Sequence, residues 1–171
     1  MPIGTLAVVG AGVTVVLLGL SAFFSSAETA IFSLPVSWIE DQATTGDPRA
    51  TLLRSLRNDP HRLLVTLLVG NNVVNVAISS IVTVLMATYL RPGVAVVAAT
   101  VTVSVVVLIF GEIVPKSVGL GNARRWALTV AGPIRFVERV LSPVVTVMDV
   151  VTRRISRRFA GEPRIEEHVL D

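Results

Sequence analysis

Three stretches of this chain carry no charged side chain: Ile3 to Ala27, Leu63 to Leu90 and Val94 to Gly111. At about 1.5 Å of rise per residue, each run crosses most or all of the ~30 Å hydrocarbon layer of a bilayer. The pattern therefore predicts three spanning helices, over residues 3–33, 63–90 and 94–115. The first run is not a signal peptide, because it is too long, lacks a basic leading region and enters a polar motif instead of a small-residue cleavage site. Between the first two spans, Pro35 to Arg62 is polar, with Trp38, Ile39, Leu52, Leu53 and Leu56 at roughly helical spacing and a break at Gly46-Asp47-Pro48. That segment predicts amphipathic helices lying in the interface over residues 36–60. Arg91-Pro92-Gly93 predicts a tight turn between spans two and three.

Ala127 to Val151 is apolar overall but is interrupted by Pro133, Arg135, Glu138, Arg139, Pro143 and Asp149. A fourth span would bury three charges near its centre, at about 2.5 to 3.5 kcal/mol each. Residues 123–158 are therefore read as a pair of kinked interfacial helices beneath the spans, with Trp126 at headgroup level. Gly10, Gly12 and Gly19 are expected to be close-packing positions on span one. The fold class is an all-α integral membrane protein: a transmembrane domain over residues 1–160, with juxtamembrane interfacial helices, then the start of a cytoplasmic linker at 161–171.

Composition agrees with the pattern, with 52% hydrophobic and only 16% charged residues. The net charge of +3 does not point to nucleic acid, since the basic residues lie in loops beside apolar spans with no interleaved aromatics. Their message is topological. Arg49, Arg54, Arg57 and Arg62 lie between spans one and two, and Lys116 to Arg164 supply ten more, whereas the other loop has only Arg91. The positive-inside rule then places the N-terminus outside and the C-terminus in the cytoplasm, in a multi-pass protein of the cell membrane. The cluster from Arg153 to Arg158 reads as an anionic-lipid contact. No cysteine is present, which removes disulfides and thiolate metal sites.

Polar residues recur inside the spans. Ser21, Ser25 and Glu28 are spaced four and three apart and share a helix face, as do Asn71, Asn75 and Ser79 on span two. Ser25 and Asn72 both lie about nine residues from the inner ends, roughly 14 Å deep. Span three ends in Gly111-Glu112, and Pro115 has no N–H to give the Gly111 carbonyl. Hydroxyls, amide oxygens, a freed carbonyl and one carboxylate form an all-oxygen set suited to a hard cation, magnesium or sodium, between which composition does not choose. The two histidines, His61 and His168, lie outside the spans. Two structural readings stand beside this one: the serines and asparagines as interhelical hydrogen-bonding glue, and Lys116, one turn on, as the ion-pair partner of Glu112. No enzyme is indicated, because a serine hydrolase would need a base and no span contains a histidine.

The motifs SAFFSSAETAIFSL at 21–34, GNNVVNVAISS at 70–80 and FGEIVPKSVGLGNA at 110–123 together resemble the transmembrane domain of the CNNM/CorC family of magnesium transporters. The resemblance implies a homodimer in the lipid bilayer that exports Mg2+ from the cytoplasm, coupled to Na+ entry. It also implies a dehydrated Mg2+ site at Ser21, Ser25, Asn72, Gly111 and Glu112, with Glu28, Asn71, Asn75 and Lys116 as further candidates along the cation pathway. Family members continue into CBS domains that bind ATP, and Ile165 to Asp171 resembles the start of the linker to them. The competing function is a membrane-embedded scaffold for such a cytoplasmic domain, without transport of its own.

Overall fold

The computed structural model describes residues 3–159, which form helices joined by short turns, with no strand among the described residues. The order is α1 (Ile3–Ser33), α2 (Val36–Thr44), α3 (Pro48–Arg57), α4 (Pro60–Ala87), α5 (Pro92–Val106), a π-helical segment (Val107–Ile113), α6 (Val114–Gly121) and α7 (Ala123–Phe159). Three continuous runs are long and apolar enough to cross a bilayer: Gly4–Ser33, Pro60–Ala87 and Pro92–Gly121. The third run continues past the expected end at 115. A π turn has N–H(i)→O(i−5) bonds, and this one absorbs Pro115 just beyond it, so the proline does not break the helix. The linker expected at 161–171 lies outside the described residues.

Helix starts follow local chemistry. Asp47 and Asp59 each precede a proline at the first helical position, and their carboxylates accept the backbone N–H of Arg49 and Arg62. A hydrogen bond from the Arg49 side chain holds the Asp47 carboxyl below its ordinary 3.8. That cap is therefore in place above the unfolded-state value and is lost only as pH falls through the lowered one. Gly46, at φ +83, supplies the left-handed residue between α2 and α3, where the break was expected.

Residues 123–158 were expected to form two kinked helices but are part of a single one, α7. Its buried stripe of Ala127, Val130, Ala131, Ile134, Glu138 and Val145 runs unbroken past both prolines, while Pro133 and Pro143 are exposed. Packing along the stripe outweighs the hydrogen bond lost at each proline. Although α7 has 37 residues, it is not among the three apolar spans. It lies against α1, α3 and α4 and, with α2 and α3, makes a belt around one end of the bundle. Trp126, expected at headgroup level, turns inward, donates Nε1–H to Ser26 Oγ at 3.0 Å and packs edge-on to Phe23.

The apolar core lies at the belt end, where Phe24, Ala27 and Ile31 of α1 and Leu34 just after it meet Ile39, Leu53, Leu56, Leu63, Leu67 and Ile134. The other half of α1 is largely exposed, as a lipid-facing surface would be. Of the three glycines expected to pack closely, only Gly10 does so, against Leu85, while Gly12 and Gly19 face open space. The tight contacts lie in the motifs instead. A Cβ on Gly119 would stand 2.4 Å from the Ser26 backbone oxygen, and one on Gly70 would stand 2.7 Å from the Phe24 ring.

Gly119→Ala must push α6 off α1, because backbone cannot yield as a side-chain tip can. We expect it to lower stability by about 1–3 kcal/mol, while Gly12→Ala in open space does not destabilise. Thermal unfolding of the two variants in detergent checks this.

Candidate cation site

The centre of the site is where α1 crosses α4 and the π segment. Ser21 is fully buried, and its Oγ donates to Asn75 Oδ1 at 2.8 Å and lies 3.0 Å from Asn71 Oδ1. One hydroxyl proton thus serves two amide oxygens, and a cluster of oxygens is drawn together in a low-dielectric setting. Gly111 closes the cluster from the third span, since a Cβ there would stand 2.8 Å from Ser21 Oγ. Glycine at 111 is what allows the backbone of the π segment to approach the serine.

The backbone at that point is short of donors. The Val114 N–H bonds the Ile109 carbonyl in π register, and Pro115, the next residue, has no N–H to give. The proline on which the Gly111 expectation rests therefore sits at a π-to-α transition, where it gives no N–H to the preceding turn. Carbonyls left short of donors at membrane depth persist only where they line a cavity or find a partner.

One turn from Ser21, Ser25 is 1% exposed, and its Oγ has no hydrogen-bond partner among the described residues. A buried hydroxyl left unsatisfied costs about 1–3 kcal/mol. Its neighbours on α1 differ: Ser26, Thr29 and Ser33 each bond back to a carbonyl of their own helix.

Glu112 lines a groove that Asn75 also lines. The glutamate is half-buried there, and the groove, of about 470 Å³, has a polar lining of Asn72, Asn75, Ser79, Ser104 and Glu112. Asn75 thus belongs both to the Ser21 cluster and to the groove, while neither Ser21 nor Ser25 hydrogen-bonds Glu112. Ser104 was missed by the sequence reading, being a lone hydroxyl in an apolar run. Glu28 and Lys116 are apart from this cluster and pair with each other at 3.6 Å, across α1 and α6. The Glu112–Lys116 pair of the structural reading is not formed among the described residues, because α6 packs against α1 and brings Lys116 to Glu28. Among the described residues no three His, Cys, Asp or Glu side chains gather in a metal-binding cluster.

Residues 12–171 match the family model described as the cyclin M (CNNM) transmembrane N-terminal domain. The chain belongs to the CNNM family. Similar proteins include a DUF21 domain-containing chloroplast protein of Arabidopsis thaliana, 38% identical over 91% of this chain and 24% of the relative. A UPF0053 protein of Synechocystis is 31% identical over 83% of this chain and 40% of its own length. The UPF0053 inner membrane protein YfjD of Escherichia coli is 31% identical over 81% of this chain and 32% of its own length. The CNNM domain described here spans less than half the length of these relatives. It is a multi-pass membrane domain of a family linked to Mg2+ transport.

The two serines of this CNNM domain predict opposite outcomes without any cation. Ser21→Ala removes hydrogen bonds to span two and is expected to cost about 0.6–1.7 kcal/mol. Ser25→Ala removes an unpartnered hydroxyl and is expected to leave stability unchanged or slightly raised. Melting temperatures measured in a chelator separate the two.

Proposed function

We propose that this CNNM domain carries Mg2+ out of the cytoplasm in exchange for Na+, as a homodimer with its N-terminus outside and its C-terminus in the cytoplasm. The observation that carries the cation site is Ser25, a buried hydroxyl without a partner among the described residues, one turn from the oxygen cluster around Ser21. Ligands are the hydroxyls of Ser21 and Ser25, the Asn72 amide, the Gly111 carbonyl and the Glu112 carboxylate. Asn71 and Asn75 orient Ser21, and the Glu28–Lys116 pair lies further along the pathway. This set is all oxygen, which suits a hard cation, and its single carboxylate fits Mg2+ that keeps some of its waters. Selectivity for Mg2+, sodium coupling and direction are supported by family membership alone. Any nucleotide control belongs, on this reading, to the CBS domains of the longer family members.

The scaffold reading has one observation on its side: Ser21 bonded to both asparagines is what interhelical glue provides. Ser25 separates the readings, because a hydroxyl kept only to join helices would have a partner.

Mg2+ flux into or out of liposomes holding the full protein, followed with an internal indicator, tests the proposal. Glu112→Gln keeps shape but removes the charge that offsets dehydration of a divalent ion. Pro115→Ala returns an N–H that recaptures a carbonyl into the helix. We expect each to lower the initial flux by on the order of tenfold or more, the scale on which altered metal surroundings act. Flux in Glu112→Gln equal to wild type removes that residue as a ligand, and no Mg2+ flux in wild type favours the scaffold.

A further inference from the structure

A second polar cavity lies in the belt, away from the cation site, and nothing in the transport reading uses it. Its volume is about 410 Å³, and among the described residues it is lined by Arg62, Arg135, Glu138, Arg139 and Ser142. Arg62 begins α4 and the other four lie on α7, so the cavity forms where the second span enters the belt.

Glu138 organises it. The side chain is only 9% exposed, and Oε1 accepts from Arg62 Nε at 2.8 Å while Oε2 accepts from Arg135 Nη1 at 2.6 Å. Arg62 also donates from Nη2 to Ser142 Oγ at 2.8 Å. Both carboxylate oxygens are therefore committed, and the glutamate acts as a brace that fixes two guanidinium groups. One arginine would balance its charge. The cavity has three, and Arg139 is exposed with no ion-pair partner among the described residues. Two uncompensated positive charges around one cavity repel each other, and an anion relieves that repulsion. Guanidinium forks match the oxygens of phosphate in geometry as well as charge.

We infer that this cavity binds a phosphate group, and that the headgroup of an anionic lipid presents it. Two features point to a lipid as the source. α4 has 28 residues, about 42 Å of helix against ~30 Å of hydrocarbon, so Arg62 in its first turn lies at headgroup depth. On α7 the row Arg135, Arg139, Ser142 runs beside an exposed apolar row of Phe136, Val140, Val144 and Val147. A phosphate in the cavity would leave acyl chains lying along that apolar row. The inference does not depend on cation transport.

The test is a titration of the full protein in neutral detergent with dioleoylphosphatidylglycerol, dioleoylphosphatidylcholine or inorganic phosphate, read as a shift in melting temperature. Phosphatidylglycerol is expected to stabilise the protein and phosphatidylcholine not to. Arg139→Gln touches no partner of the brace, so the variant folds, and it should weaken the apparent affinity for phosphatidylglycerol about fivefold, as expected for one basic contact. Arg54→Gln, which removes an exposed arginine of α3, should leave that affinity unchanged. Equal losses in the two variants, or equal stabilisation by phosphatidylcholine, would overturn the site. A full shift with inorganic phosphate upholds the phosphate site and reassigns its source to the soluble anion.

Discussion

Hydrocarbon offers no water to a polar group that has lost its partner, and the layout of this domain follows from how each such group is satisfied. Most helix hydroxyls bond back to their own helix, and Ser21 is satisfied across helices by two asparagines. Two features stand out among the described residues of the spans: Ser25 Oγ, which has no partner, and Pro115, which gives no N–H to the turn before it. They lie on helices that pack together, where α1 meets the π segment and α6. Isolated, each would be a cost without a return; under the proposed function they form the neutral half of a ligand set.

The motif glycines serve this arrangement by removing bulk rather than by bending the chain. Gly111 admits Ser21, Gly70 admits Phe24, and Gly119 admits the backbone of Ser26. Each lies where α1 touches another element, which puts α1 at the centre and ties all three motifs to a single helix. The belt, itself joined by the Arg124–Trp38 stacking contact, then holds the bundle from one end through the Trp126–Ser26 hydrogen bond, the Arg57–Phe32 stacking contact and the Arg62–Glu138–Arg135 brace. Glu138, one of the charges that disfavour a fourth span, is the one that fastens α7 to the second span.

Charge-free length made the spans legible in the sequence, since hydrocarbon thickness fixes what length means. Helix faces were legible too: Ser21 and Ser25 do share a buried face, and Asn71 and Asn75 do act together. What failed was whatever depended on helix register or tertiary support. Lys116 pairs with Glu28 because α6 packs on α1, a neighbour that periodicity does not reveal, and nothing in FGEIVPK announces a π turn except a proline that has to be accommodated. Pro133 and Pro143 read as kinks because their exposure was invisible, and Gly12 and Gly19 read as contacts because small residues look alike whether or not a neighbour is present. Ser104 and the partners of Glu138 depend on which helices become neighbours, which periodicity alone does not give.

The central claim is that Ser25 waits for a cation, and the most direct test is the stabilisation that Mg2+ itself confers on the folded protein. A ligand bound only to the native state stabilises it by about 2.7 kcal/mol at a hundred times its dissociation constant. The measurement is the Mg2+-induced rise in melting temperature, over an ionic-strength-matched monovalent control, for wild type and Ser25→Ala. The account predicts a clear rise in wild type that is largely lost in the variant. A variant that gains as much from Mg2+ as wild type would contradict it.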